Sequence, residues 1–305
     1  MHALTSQGQR VLTMAIFALG SSLSIPSTAY AHEPLWGETP VVFGSGLVHP
    51  EIRFGFMDAG STQNGGVRAR MFEQTYMVQY APKPSMNLIL EAPYHNNVRQ
   101  QVVNGQLRSV PFVGLGDITL NAKSRLHARQ AEGLTIQQTA IYGIKLPTGE
   151  SHRLDPDGTR AAPHDQTGTS KPGLVLGYTA DRETLKDTIW GSVEWRREFG
   201  SGFRMGDMAE VNVSYGRWLK QANEAAQLGV NLAVGLHGEW HIADTLDAGQ
   251  DAHNGHHIIG LHITPIFTKG TRQLRIGLLV PLARQGPQDH VGYRYEIRTA
   301  FETFF

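Results

Sequence analysis

The chain has 305 residues, of which 27 are basic and 27 acidic, so no bulk charge draws it to nucleic acid or to an anionic membrane surface. Hydrophobic residues make up only 40% and the mean hydropathy is slightly negative, which excludes a bundle of membrane-spanning helices yet suits a sheet that is apolar on one side. Cysteine is absent, which removes disulfide frameworks, thiolate metal sites and cysteine nucleophiles together.

At the N-terminus Arg10 precedes an apolar run over 11–19, and a looser small-residue stretch ends Ala29-Tyr30-Ala31. This order predicts a secretory signal peptide, 1–31, cleaved after Ala31. The run is about half the roughly twenty residues a spanning helix needs. No later segment reaches that length, so a membrane crossing would have to be made by strands. Residues 32–49, opening His32-Glu33-Pro34-Leu35-Trp36 and punctuated by Pro and Gly, read as a periplasmic N-terminal arm before a β-domain over 50–305; the sequence leaves open whether this arm, or the connection over 147–172, folds inward as a plug.

From there strand signals follow one another with period two. The first, 51–58, puts Ile52, Phe54 and Phe56 opposite Arg53; the second, 70–80, puts Phe72, Tyr76, Val78 and Tyr80 opposite Glu73; the third, 85–94, puts Leu88 and Leu90 opposite Glu91. The fourth, 117–129, alternates most strictly, with Ile118, Leu120, Ala122 and Leu126 against Asn121, Lys123, Arg125 and His127. Seven polar residues in alternation on one strand do not face a dry core. Further strands are predicted at 134–146, 173–180, 187–199, 209–219, 227–240, 257–267 and 272–280. In the strand at 209–219, Arg217 falls on the apolar face near the strand end. The last segment, 290–305, sets Tyr293, Tyr295, Ile297 and Phe301 against Arg294, Glu296 and Arg298.

Connections alternate in step with strand parity. Those at 81–84, 130–133, 181–186, 220–226 and 268–271 are brief, whereas 94–116, 147–172 and 241–256 are long, as periplasmic turns and outer loops of a bacterial barrel would be. The fold class expected is all-β: a transmembrane antiparallel up-and-down β-barrel of about twelve strands, with the apolar faces toward lipid and the charged faces around a wet lumen.

Two stretches carry resemblances. A chain ending on Phe305, with aromatics spaced back by even steps, resembles the carboxy-terminal signal through which outer-membrane barrels meet the β-barrel assembly machinery. At 114–126, GLGDITLNAKSRL, and 145–150, KLPTGE, the sequence resembles the outer-membrane transporter family known as MetA-pathway of phenol degradation proteins. That resemblance implies a Gram-negative envelope barrel in contact with outer-membrane lipid and lipopolysaccharide, passing small, possibly aromatic or hydrophobic molecules by passive diffusion. It brings no catalytic residues.

Alternation makes Arg53, Glu73, Glu91, Lys123, Arg125, Lys145, Glu194, Arg196, Glu198, His237, Glu239, His262, Arg275, Arg294, Glu296 and Arg298 the candidate lumen lining. These charges would select solutes, brace the wall as a salt-bridge lattice, or both. The alternative reading is a metal-binding envelope barrel: His253, His256 and His257 crowd one outer loop and His32 would begin the mature chain, donors suited to Cu²⁺ or Zn²⁺. The spacing matches no defined ligand motif, and no cofactor is otherwise implied. No Gly-x-Ser-x-Gly elbow, Walker loop or His-Glu-x-x-His occurs, so no enzyme is expected; a hydrolase would need a constellation such as His262 with Ser192 or Ser214.

Overall fold

Successive residues of a pleated strand point to opposite faces, and this chain uses both faces along nearly its whole length. The computed structural model describes residues 35–60, 68–103, 106–155, 158–161, 163–221, 226–246, 249–250, 255–286 and 293–305; the expected leader, His32 and His253 lie outside them. The strands are β1 (Val48–Gly60), β2 (Arg68–Lys83), β3 (Met86–Val103), β4 (Gln106–Leu115), β5 (Ile118–Ala131), β6 (Leu134–Leu146), β7 (Gly173–Thr184), β8 (Asp187–Glu198), β9 (Met208–Lys220), β10 (Gly229–His241), β11 (Thr245–Leu246), β12 (Gly249–Gln250), β13 (His256–Lys269), β14 (Arg272–Gln285) and β15 (Tyr293–Thr303), with a 3₁₀ turn at Pro163–Asp165.

All of these except β4, β11 and β12 build one ring of antiparallel neighbours. The last strand pairs back to the first, from Glu51 opposite Glu302 to Ala59 opposite Tyr293. The result is a closed twelve-stranded transmembrane barrel with no free edge, the condition for crossing lipid with strands. Its shortest wall strand has 11 residues and its longest 18, enough for the roughly 9–11 that a tilted strand spends in the bilayer.

Burial inverts the order of a soluble protein. Phe54, Tyr76, Leu90, Tyr142, Ile189, Val213, Ile263 and Ile297 are exposed on the outside, while Lys123, Thr139, Thr179, Asn231, His262, Arg275 and Glu302 are buried on the inside. Arg217 does point outward, but beside the turn to β8, where it reaches Asp187 at 3.9 Å and Tyr215 Oη donates to the same carboxylate. A charge at the rim of the apolar belt stays in contact with water.

Two regions differ from the sequence expectation. The stretch 94–116 is no plain loop: the outer part of β3 folds back on β4, paired from Tyr94–Leu115 to Val103–Gln106, so a two-stranded ribbon rises above the wall. From His95 to Gln101 its first limb is largely polar on both faces, and Leu107 to Leu115 places apolar residues on both, so neither limb shows the one apolar and one polar face of a wall strand. The Asn104-Gly105 dipeptide, favoured in tight hairpins, was the available signal. The other region is one whose placement the sequence left open: the described part of the arm, 35–47, runs inside the ring.

Candidate functional site in the lumen

The arm climbs from the end of the barrel that carries the short turns. Near that end the Phe43 ring meets His49 and Phe304 edge-on at 5.0 and 5.3 Å, and its backbone N–H donates to Asn87 Oδ1 at 3.2 Å. Above it Arg125 Nη2 donates to the Val42 carbonyl, Thr139 Oγ1 to the Pro40 carbonyl and Thr179 Oγ1 to the Glu38 carbonyl, each at 2.6 Å. The Glu38 carboxylate lies 2.5 Å from Lys123 Nζ and 3.8 Å from Arg53 Nη1. Burial pushes this carboxyl up, but the Lys123 and Arg53 cations outweigh burial and hold it below the usual carboxylate range. Farther up, Trp36 Nε1 donates to Glu296 Oε2 at 3.3 Å and Arg298 donates to the Leu35 carbonyl. These partners sit on β15, β1, β3, β5, β6 and β7; across the ring Ser192 on β8 accepts the Glu38 backbone N–H at 3.4 Å, and His262 on β13 and Leu279 on β14 pack on Trp36, so only a segment within the lumen can touch them all.

Local chemistry explains the path. Gly37 has φ of +82°, open to glycine at no steric cost, and a Cβ there would run into Ser192 and Asn212. Leu35 and Trp36 are buried against Ala59, Ala69, Ile258, Leu279 and Ala300, an apolar recess worth about 2–3 kcal/mol per large side chain. Gly277 makes the socket, because a Cβ there would collide with the Trp36 ring.

Below the arm, at the closing seam, Arg275 Nη2 lies 2.6 Å from Glu51 Oε1 and 2.8 Å from Glu302 Oε2, with all three side chains fully buried. Arg53 Nε bonds the same Glu51 oxygen at 2.5 Å, and His49 Nε2 stands 3.2 Å from Glu302. His49, Glu51 and Glu302 are close enough to share an ion, yet a guanidinium already bridges both carboxylates, so the donors are better matched to Arg275 than to a metal. Glu51 and Glu302 fall on the polar sets of their strands, so alternation could have found them. Nothing periodic marked Glu38 or Trp36.

The structure sets the predicted lumen residues at several heights. At mid-height, Arg196 pairs with Glu194 at 2.5 Å and reaches Glu210 at 4.0 Å, and Arg298 pairs with Glu296 at 2.5 Å. Glu91 is partly buried on the inner face, Glu73 lies 3.4 Å from His95, and Arg294 is exposed. Lys145 does not line an open pore. It is locked between Asp117, at 2.6 Å, and Glu198, and also donates to Thr169 Oγ1 at 2.7 Å. Asp117 in turn accepts the backbone N–H groups of Gly149 and Thr169 at 2.8 and 3.1 Å, and Glu198 accepts that of Met205 at 2.8 Å. The residues of the two motif stretches thus fasten the loop over 147–172 onto the wall.

Of the predicted metal donors, His256 points inward and lies 3.1 Å from Glu239, whereas His257, its neighbour in β13, is exposed on the opposite face. The strand pleat keeps the two from sharing an ion. Glu239 is also 3.9 Å from His237, whose Nδ1 lies 2.7 Å from Asn212 Oδ1. Of the hydrolase candidates, Ser214 Oγ and His262 Nε2 are 3.0 Å apart across Gly235, whose missing side chain leaves them room. Among the described residues the buried His262 Nδ1 has no hydrogen-bond partner, and Trp36 covers the ring at 5.0 Å, so no described group stands where the third member of a triad would orient the base.

The closed wall of twelve strands has its fold in common with a solved protein. The fold resembles that of a solved outer-membrane channel. The COG4313 outer membrane channel from Pseudomonas putida F1 superposes with a TM-score of 0.67 at 12% identity, over 90% of this chain and 100% of that one. The likeness at that identity is one of fold. The β domain of the Bordetella autotransporter BrkA aligns at a TM-score of 0.45 and 10% identity, over 84% of this chain and 98% of that one. The translocator domain of NalP from Neisseria meningitidis gives 0.42 and 11%, over 97% and 94%. No protein-family profile and no curated protein matches the sequence.

Proposed function

We propose that the protein is a passive outer-membrane channel for small molecules, aromatic or hydrophobic ones among them, closed by its own arm rather than by a gate in the wall. The observation that carries this reading is the arm itself: a segment without regular structure, held by side chains from around the ring, fills a lumen whose walls are otherwise polar. In this reading the short-turn end is periplasmic, the exposed apolar belt meets lipid and lipopolysaccharide, and no reaction is catalysed. Full-length protein and a variant lacking residues 35–43 would be placed in planar bilayers. The full chain is expected to conduct in small, intermittent steps and the variant several-fold more. A variant that stays impermeable to ions and to every small solute tried would sink the proposal.

We also infer that the final strand is read by the β-barrel assembly machinery. Phe305 is exposed at the end of the chain, and its backbone exchanges two hydrogen bonds with Val48. Deleting Phe305 is expected to lower the yield of membrane-inserted protein while leaving the conductance of inserted molecules unchanged. Normal insertion would show that the terminal residue is not part of the signal.

A further inference from the structure

The contacts between arm and wall centre on one carboxylate in a way that points to a ligand. Wall side chains donate to arm carbonyl oxygens at Leu35, Glu38, Pro40, Val41 and Val42. Two wall cations, Lys123 and Arg53, converge on the single carboxylate the described arm carries, one at each oxygen. Lys123 has a fully buried side chain. An ammonium taken out of water needs an anion beside it, so the wall at this height is built around a carboxylate. Two residues earlier, Trp36 fills the apolar recess beside Gly277, about 7 Å away along an extended chain. A cavity of about 60 Å³ runs alongside Glu38, with Arg53, Arg196 and Arg298 among its lining. It has room for about two waters.

We propose that Lys123 and Arg53 form a carboxylate subsite in the lumen and that the arm is a built-in competitor for it. Glu38 takes the place of the acid group and Trp36 that of the apolar body of the cargo, which is a small organic monocarboxylate with an aromatic or aliphatic tail. This rests on the channel reading. An incoming acid replaces Glu38 charge for charge, so Lys123 keeps an anion throughout the exchange. A neutral solute of the same shape must displace Glu38 without returning a negative charge to the two cations, which is the costlier path. The same two cations therefore hold the channel shut and choose what opens it.

Calorimetry on detergent-folded full-length protein decides the point, with hydrocinnamate as the acid and hydrocinnamyl alcohol as its neutral counterpart. Glu38→Gln removes the competitor's charge. This variant is expected to bind the acid about tenfold tighter than the alcohol, the scale of one hydrogen bond to a charged group, and tighter than the wild type does. Lys123→Met is expected to abolish the preference while leaving alcohol binding in place, and Lys123→Arg to retain it. Heat-modifiable gel mobility identifies folded protein. Should Lys123→Met fail to fold, Arg53→Gln gives the same comparison. Equal binding of acid and alcohol by Glu38→Gln, absence of binding to either, or a preference that survives loss of the cation would overturn the inference. Conductance of Glu38→Gln is measured separately: a variant that conducts but does not prefer the acid leaves the channel reading standing, and one that binds the acid but never conducts does the reverse.

Discussion

Two segments outside the strands of the ring are each fastened to the inner wall by a lysine, on neighbouring strands, and they are fastened differently. Lys123 on β5 holds the arm; Lys145 on β6 holds the loop over 147–172. At Lys145 the wall supplies both charges, because Asp117 and Glu198 lie beside the cation and the loop contributes backbone N–H groups and a threonine hydroxyl. The pair stays satisfied whatever the loop does. At Lys123 the carboxylate comes from the moving part, since Glu38 belongs to the arm. The first arrangement is a brace and the second a catch, and the ownership of the anion makes the difference.

The largest effect that tests this contrast is Lys145→Met. It leaves Asp117 and Glu198 facing each other without a cation, and breaking a buried pair in this way costs about 3–5 kcal/mol. The temperature at which the folded gel band is lost should fall clearly, with little gain in conductance. An unchanged temperature would mean that Lys145 braces nothing. Gly277→Leu is expected to act on the other segment. The added side chain overfills the Trp36 socket, at about 1–3 kcal/mol for overpacking, and the arm can escape that strain where the wall cannot. The folded band should then survive to nearly the wild-type temperature, while conductance rises and a protease clips the arm more readily. If the wall loses stability and the arm stays protected, the arm is as much a brace as the loop.

The sequence made the wall legible because its rule is local. Ile118, Leu120 and Leu126 against Asn121, Lys123 and Arg125 declare two faces within one strand, and parity of the connections adds the ring. Pairing of the charges was not legible. Arg275 meets Glu51 across 224 positions of sequence, and such a contact exists only once the last strand has closed on the first. The arm was hidden for a related reason. Its short apolar pairs, Leu35-Trp36 and Val42-Phe43, have no period of their own and acquire an inside only from a barrel built later in the chain. His256 and His257 show the opposite error: adjacency suggested a shared ligand, and the continuation of β13 through both residues sends them to different sides of the wall.

The end of the chain joins these surfaces. Phe305 is exposed, while Phe304 stacks on His49 at 4.3 Å and meets Phe43 of the arm edge-on. Two consecutive rings thus report on two different events: one presents itself to whatever receives the barrel from outside, and the other grips the root of the arm within. A slip of the final strand by one residue would exchange them, sending the gripping ring outward and the presented ring inward. Correct closure and correct seating of the arm are therefore checked by the same pleat, and a misregistered terminus would fail both inspections at once.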